Sequence, residues 1–303
     1  VKKLIVLGSL NLDLVMTTSK LPNIGETILG EDIQYMLGGK GANQAVAASR
    51  IGQDVTLLGG LGDDTFGEKI RKHLAEENLD LTHVKTFNNM FTGIASIFKL
   101  PTDNSIVVIP GANHLVDTQY LTEVQSVIQK GNVLLSQLEI PLETVKEGMA
   151  FAKEQQMLTI LNPAPYHEGV KEIMPFVDIV TPNETEFEGL CGQSWSTVAE
   201  LEQEMLAWSE ANQTQLIVTR GEHGTSYTNH GKVIHLPAIQ VKVVDTTGAG
   251  DTFNGILAYE LSQGMSMDDA VRRASIGASL SVQAFGAQTG MPTKAVLDQT
   301  DCA

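Results

Sequence analysis

The sequence predicts an α/β protein with a three-layer, Rossmann-like architecture: a mostly parallel sheet, helices on both faces, and a small β-sheet lid standing off it. Three observations lead there. From Val133 onward, short apolar runs alternate with segments of helical period. Glycines and polar residues cluster just after those runs, where an open α/β sheet collects its binding groups. Between Val15 and Leu37, and again between Gly93 and Ile109, short β-like pieces broken by proline, glycine or asparagine interrupt the rhythm.

At 303 residues the chain is long enough to bury a large core as one domain spanning 1–303, with the lid formed by about 13–37 and 93–110. Hydrophobic residues make up 42% and mean hydropathy is near zero, as in a soluble globule. No apolar stretch approaches the ~18 residues of a membrane span, and Lys2 and Lys3 lead straight into Leu4–Leu7 instead of a signal-peptide core. The expected location is therefore the cytoplasm, with no membrane partner. Cys191 and Cys302 make no metal spacing and are expected to be reduced, and the seven histidines form no H-E-x-x-H pair. A formal charge of −16 argues against a nucleic-acid surface, which needs clustered Lys and Arg. ATP remains compatible with an acidic chain, since local amides, a few cations and Mg²⁺ suffice to hold it.

In chain order, Leu4–Leu7 reads as a buried first strand ending at Gly8 and Ser9. Asn11 and Asp13, two residues apart, share one face of an extended segment and together offer the donors and acceptors that sugar hydroxyls require; the alternative is a polar turn. Val15 to Leu37, with Pro22, Gly25 and Gly30, supplies half of the lid, and a hairpin from Gly93–Leu100 to Ser105–Ile109 across Pro101–Asn104 supplies the rest. Gly38, Gly39, Lys40, Gly41, Ala42, Asn43 and Gln44 then open an alanine-rich helix that runs to Arg50 and stops at Gly52. A helix N-terminus with glycines and a lysine suits an anion or a polyol, and Asn43 lies one turn in; close packing through small residues is the alternative.

Val55–Leu58, Gly60, Gly62 and a helix from Asp64 imitate a dinucleotide fingerprint, but Thr65 stands where the third glycine belongs. No phosphate-binding loop of the G-x-x-x-x-G-K-[ST] type occurs. Further strands are expected at Val133–Ser136, Leu158–Leu161, Val177–Val180 and Leu216–Val218, with helices at Leu142–Gln156, Val198–Ala211 and Asp268–Val282. Polar groups follow the strands: Glu139, Asn162, Asn183 with Glu186, and the run Thr219, Arg220, Gly221, Glu222, His223, Gly224. Asn183 and Glu186 fit either a capping box or the orientation of hydrated Mg²⁺ beside a triphosphate. Trp195 and Trp208 read as packing.

The most informative stretch is Asp245–Asp251, DTTGAGD. Ile239, Val241, Val243 and Val244 ahead of it suggest a strand, and Ile256, Leu257, Tyr259 and Leu261 behind it recur at helical spacing. Gly248, Ala249 and Gly250 therefore sit at a helix start, where unpaired amides and the helix dipole attract an anion. An acid carried into that hole, Asp251, is counterproductive for simple anion binding. It makes sense as a base that deprotonates a hydroxyl attacking a phosphoryl group held by those amides. The alternative is a glycine turn with Asp251 as a cap.

These residues fall into two signatures. One runs from Gly38 through Asn43 and Ala45 to Gly52 and Gly62; the other is DTTGAGD with Thr252, Phe253, Asn254 and Gly255. Together they resemble the phosphofructokinase-B family of sugar and nucleoside kinases over essentially the whole chain, and Gly39-Lys40-Gly41-Ala42-Asn43-Gln44 resembles its ribokinase branch. The resemblance implies ATP-dependent phosphorylation of D-ribose at the 5-hydroxyl, with Asp251 as base and the amides of Gly248, Ala249, Gly250 and Asp251 as the anion hole. It implies sugar contacts from Asn11, Asp13, Gly39, Lys40, Gly41, Ala42, Asn43 and Glu139. For the nucleotide it implies Asn183, Thr219, Arg220, Gly221, Glu222, His223, Gly224, Gly250 and Ser275, with Glu186 assisting Mg²⁺. A homodimer joined through the lids is also implied, and the apolar lid residues Val15, Ile28, Ile33 and Ile97, on strands without helix cover, fit it. Alternatives are a kinase for another pentose or nucleoside, such as deoxyribose or adenosine, and a non-catalytic sugar sensor; an unbroken turn around Asp251 speaks against the sensor.

The resemblance together with the composition of two loops flanking the anion hole suggests a monovalent cation, K⁺. The Asp245 carboxylate, with backbone carbonyls from Thr247, Ser281, Ala284 and Gly286, forms an all-oxygen set suited to a hard ion. Gly290 stands where some relatives carry serine, so only a backbone carbonyl is available there. Two further departures are Ile256, where the family favours Ala or Gly, and Ser275, where relatives place Asn or His near the adenine.

Overall fold

In this computed structural model, which describes all residues except 1, 2, 102, 103, 130 and 303, the chain begins with β1 (Leu4–Leu7), β2 (Asn11–Thr17), β3 (Asp32–Gly38), α1 (Lys40–Ile51), β4 (Val55–Gly62), α2 (Thr65–Leu74), β5 (Leu79–Asp80), β6 (Val84–Phe87), β7 (Gly93–Lys99) and β8 (Asn104–Ile109). It continues with α3 (Thr118–Ile128), β9 (Val133–Ser136), α4 (Leu142–Glu154), β10 (Leu158–Leu161), β11 (Ile179–Val180), α5 (Glu184–Cys191), α6 (Val198–Asn212), β12 (Gln215–Thr219), β13 (Thr225–Asn229), β14 (Lys232–Leu236), α7 (Ala249–Ser262), α8 (Met267–Ser281) and α9 (Lys294–Asp301).

The main sheet has the order β14-β13-β12-β11-β10-β9-β1-β4-β5, with β6 added to β4. Pairing is parallel from β12 to β5 and antiparallel only across β12-β13-β14. All four residues of β1 are buried, and they divide by parity. Leu4 and Val6 join α1, α2, α7, α8 and α9 on one face, while Ile5 and Leu7 join α3, α4, α5 and α6 on the other. That division is the expected three-layer α/β arrangement. Helix starts follow ordinary capping chemistry: Asp64 accepts from Phe66 and Gly67 amides ahead of α2, and Asn183 with Glu186, and Thr197 with Glu200, close capping boxes on α5 and α6. Trp195 and Trp208 both contact Phe187, in keeping with a packing role. Both cysteines are free thiols.

The lid is a separate four-stranded sheet of order β3-β2-β7-β8. β2 leaves β1 directly and β3 returns directly into α1, so the lid and the first helix share the same few residues as hinge. The β7–β8 hairpin forms as expected, although Thr102 and Asp103 of its turn lie outside the described residues.

Two expectations fail. No strand forms over Ile239–Val244; the segment adds no strand beyond β14, and its Val244 amide donates instead to the Val282 carbonyl at 2.8 Å, at the end of α8. Val177 does not enter a strand, since its amide closes a 3-10 turn on the Met174 carbonyl and β11 shortens to two residues. The hairpin β13–β14 and the helices α3 and α9 carry no expectation from the sequence. Ile256 finds its room in a neighbouring helix: a Cβ on Gly277 of α8 would lie 2.1 Å from Ile256 Cδ1, so the larger residue in α7 is matched by a glycine opposite.

Candidate active site

The groups singled out in the sequence gather at the C-terminal ends of β1, β9, β10, β11 and β12, against the N-termini of α1 and α7. Two glycines make the approach possible. Gly39 has φ 86°, and a Cβ there would meet the Asn11 amide at 2.6 Å; Gly248 has φ 78°, and a Cβ there would meet the Ala287 carbonyl at 2.6 Å. The first lets the lid strand turn straight into α1, and the second presses the α7 turn onto the loop after α8.

Asp251 is 7% exposed, in the first turn of α7. Its two oxygens are held separately: Asn43 Nδ2 donates to Oδ2 and Gln44 Nε2 to Oδ1, each at 2.9 Å. Both donors lie on α1, so the carboxylate has a fixed orientation. A carboxylate oxygen has two lone pairs, so each keeps one for a proton or a hydroxyl. The Ala249 N–H already donates to the Thr246 carbonyl at 3.2 Å. Gly250 and Asp251 follow in the first turn, where a helix provides no acceptor of its own, and a Cβ at Gly250 would meet nothing within 4 Å. The hole is therefore carried by the amides around Gly250 more than by that of Ala249.

A pocket of about 180 Å³ opens on these groups, lined among others by Lys40, Asn183, Glu186, Thr219, Gly248, Gly250 and Asp251. Beside it, a cavity of about 600 Å³ is bounded by Asn183, Thr219, Gly221, Glu222, Gly224, Ala249, Gly250 and Ser275, with an apolar wall that includes Ile239, Val241, Val243 and Phe253. The segment 239–244 thus lines a cavity instead of joining the sheet. Ser275 Oγ donates to the Val271 carbonyl and to Thr225 Oγ1.

Charge is concentrated on the lid side of Asp251. Glu139 Oε2 accepts from Ser9 Oγ at 2.5 Å and from the Lys40 amide at 2.9 Å, which leaves Oε1 uncommitted. Asp13 is raised to about 7, chiefly by burial and further by Glu139 and Asp251, with Lys40 acting in the opposite sense. Burial disfavours the Lys40 ammonium, yet Asp251, Glu139, Glu186 and Asp13 together hold its proton affinity above the ordinary lysine value. Burial also raises Glu186, against the pull of the Asn183 amide and of Lys40. One lysine therefore serves four carboxylates, and the cluster invites hydrogen-bond donors.

Several residues stand elsewhere than the sequence suggests. Asn11 accepts from Asn113 Nδ2 at 2.7 Å, which ties the lid base to the segment after β8. Gly41 and Ala42 serve packing: a Cβ on Gly41 would meet the Ser9 amide at 2.5 Å, and Ala42 is buried in the core. Asn43 joins Asp251 to Gln288, whose Nε2 donates to Asn43 Oδ1 at 2.8 Å. Arg220 and His223 do not line either cavity; Arg220 turns to Glu184 at 3.1 Å. Gln137 and Gln288 emerge beside Asp251 only in the structure, while Gln44 and Asn162, both noted in the sequence, gain their partners there. Gln137 donates to Gln44 Oε1 at 2.6 Å, and Gln44 donates also to Asn162 Oδ1 at 3.0 Å.

Asp245, Thr247 and Gly286 do come together. Asp245 Oδ1 accepts from the amide and hydroxyl of Thr247 at 3.0 and 2.7 Å, and Oδ2 accepts from the Gly286 amide at 2.9 Å. Burial would raise Asp245, but these hydrogen bonds outweigh it and keep its carboxyl below the usual range. Ser281 Oγ is turned back to the Ala278 carbonyl, and a Cβ at Gly290 would lie 1.9 Å from the Ser281 carbonyl oxygen. No side-chain oxygen is available at position 290. Among the described residues, no cluster of three or more His, Cys, Asp or Glu suits a metal ion, and no helix is long and apolar enough to cross a membrane.

Residues 1–294 match the family model described as pfkB family carbohydrate kinase. The chain is 42% identical to a ribokinase of Lactococcus lactis over 96% of its own length and 94% of the relative's. It is 33% identical to a deoxyribokinase of Salmonella typhi, with 95% of each covered. Among solved structures, a ribokinase of Arabidopsis thaliana complexed with ribose and ATP superimposes with a TM-score of 0.88 at 30% identity, covering 98% of this chain and 97% of the other.

Proposed function

This chain belongs to the pfkB family of carbohydrate kinases, and from that premise we propose that it transfers the γ-phosphoryl group of ATP to the 5-hydroxyl of D-ribose. The observation that carries the reading is Asp251. A carboxylate held by Asn43 and Gln44, in the first turn of a helix, faces a small pocket that joins a polar cluster to a large, partly apolar cavity. Asp251 takes the proton of the 5-hydroxyl; the freed oxygen forms a bond to the γ-phosphorus, the bond to the β-bridging oxygen breaks, and ADP departs. Amides at Gly248, Gly250 and Asp251 hold the charge that develops on the transferred group. Asp13, Glu139 and Lys40 grip the other sugar hydroxyls, and the 239–244 segment, Ser275 and the Thr219–Gly224 turn enclose the nucleotide.

Mg²⁺ would sit beside Glu186 and Asn183, which line the small pocket, and it would neutralise phosphate charge there. K⁺ would bind oxygens beside Asp245, whose carboxylate already ties Thr247 to Gly286, and there it would fix the turn that carries the anion hole. The exposed lid face supports a homodimer, and the reading places the enzyme in the cytoplasm. The test is ADP release with a panel of D-ribose, 2-deoxyribose, other pentoses and adenosine. Ribose is expected to give the highest kcat/KM, with phosphorus on the 5-oxygen of the product. A preference for deoxyribose or adenosine would move the substrate, and no turnover with any acceptor would leave a sensor.

A further inference from the structure

Three consecutive residues of the loop after α8 touch three different parts of the site. The Gly286 amide donates to Asp245 Oδ2 at 2.9 Å, Ala287 backs Gly248 so closely that no Cβ fits between them, and Gln288 Nε2 donates to Asn43 Oδ1 at 2.8 Å. Asn43 in turn donates to Asp251. The polarity of this chain of bonds is forced from its far end. A carboxylate accepts only, so Asn43 must aim its NH₂ at Asp251; its carbonyl then faces Gln288, which must present its own NH₂. Gln288 is 6% exposed, and its Oε1 has no partner among the described residues. Nothing except the Asn43 contact selects the orientation of that amide.

The backbone of the loop is anchored independently. Arg50, at the far end of α1, donates to the carbonyls of Gln288 and Met291 and pairs with Glu77 at 2.7 Å. Helix α1 thus grips the loop by its main chain through Arg50 and by its side chain through Asn43. We propose that Gln288 is a positioning residue for phosphoryl transfer: acting through Asn43, it fixes the rotamer of Asp251 and joins the base and the anion hole to one backing loop. The proposal rests on the kinase reading above. Gln288 touches neither reacting group itself, so its effect must pass through Asn43.

Two replacements separate positioning from filling. Gln288→Met keeps length and volume but donates nothing, while Gln288→Asn keeps the amide and withdraws it by one methylene, out of reach of Asn43. A role in packing is satisfied by the first, and a role in polarity by the second. Positioning is satisfied by neither. Both variants are expected to lose about 5- to 10-fold in kcat, the worth of one hydrogen bond, while KM for ribose and ATP changes by less than about twofold. In an Asn43→Ser background, Gln288→Met should cost nothing further, because the link it breaks is already gone. Wild-type kcat in either variant, or losses that multiply with Asn43→Ser, would overturn the proposal. Should Gln288→Met fail to fold, as a thermal melt would reveal, Gln288→Asn decides alone by the same two criteria. An inactive wild type would refute the kinase reading, and this proposal with it; an active wild type with indifferent Gln288 variants would refute this proposal alone.

Discussion

Asp13 lies among two other carboxylates and one lysine, and if it binds sugar as proposed, that arrangement would make the binding proton-linked. Its folded-state value is raised from 3.8 to about 7. Below the ordinary carboxylate range the group is neutral whether the chain is folded or not. Between there and about 7 the folded chain keeps a proton that the unfolded chain has lost, so Asp13 lowers fold stability as pH rises through that window and exerts its full penalty above it. Sugar hydroxyls that donate to the carboxylate favour its ionised form. Ribose should therefore bind more tightly as pH rises from about 6 to 8, with release of a proton near neutrality that calorimetry in buffers of different ionisation enthalpy detects. Asp13→Asn should abolish the release; an unchanged proton count in that variant would remove Asp13 from the sugar site. At this scale, the sequence disclosed Asp251 because glycine turn, acid and helix are neighbours in the chain. It concealed Gln137 and Gln288, and the partners of Gln44, because those contacts join residues 93 to 245 positions apart and leave no local pattern.

The element that matters most for the chemistry is the turn from Asp245 into α7, together with the loop after α8 that backs it. Asp245 holds that pair shut by accepting from Thr247 on its own side and from Gly286 on the other. A monovalent cation among the neighbouring carbonyls would stiffen the same junction before any nucleotide arrives, which is preorganisation of the anion hole. KCl should accordingly raise kcat where tetramethylammonium chloride at equal ionic strength does not, since screening is then the same in both salts. Asp245→Ala should flatten the response. Equal rates in the two salts, with contaminating potassium and ammonium removed, would exclude the ion. Elements were legible where hydrophobic period and caps coincide, as in α1, α2, α6 and α8. The run at 239–244 misled because alternating apolar residues look alike in a strand and in the wall of a cavity.

For the whole molecule, the lid is the part with an apolar face left uncovered. Its sheet leaves Ile33 49% and Tyr35 55% exposed on one edge strand and Ile106, Val107, Val108 and Ile109 exposed on the opposite edge strand, apolar side chains of the kind that proteins cover by association. Ile33→Asp should shift the protein toward monomer in sedimentation, and a wild type that is already monomeric at micromolar concentration would contradict a lid-mediated dimer. The three-layer core needed no such partner: strand parity in β1 and the regular alternation after Val133 suffice to derive it. The position of the lid was legible as well, because proline, glycine and short β-like pieces interrupt that alternation. Its strand order was not, since β2 pairs in parallel with β7 more than 70 residues away, a choice no local feature encodes.

The assignment stands or falls on Asp251. Asp251→Asn keeps the size of the side chain and most of its hydrogen bonding while removing the proton acceptor, so kcat for ribose phosphorylation should fall by about 10² to 10⁴ while ribose and ATP still bind with nearly unchanged affinity. Near wild-type turnover in Asp251→Asn, with both ligands bound, would contradict it.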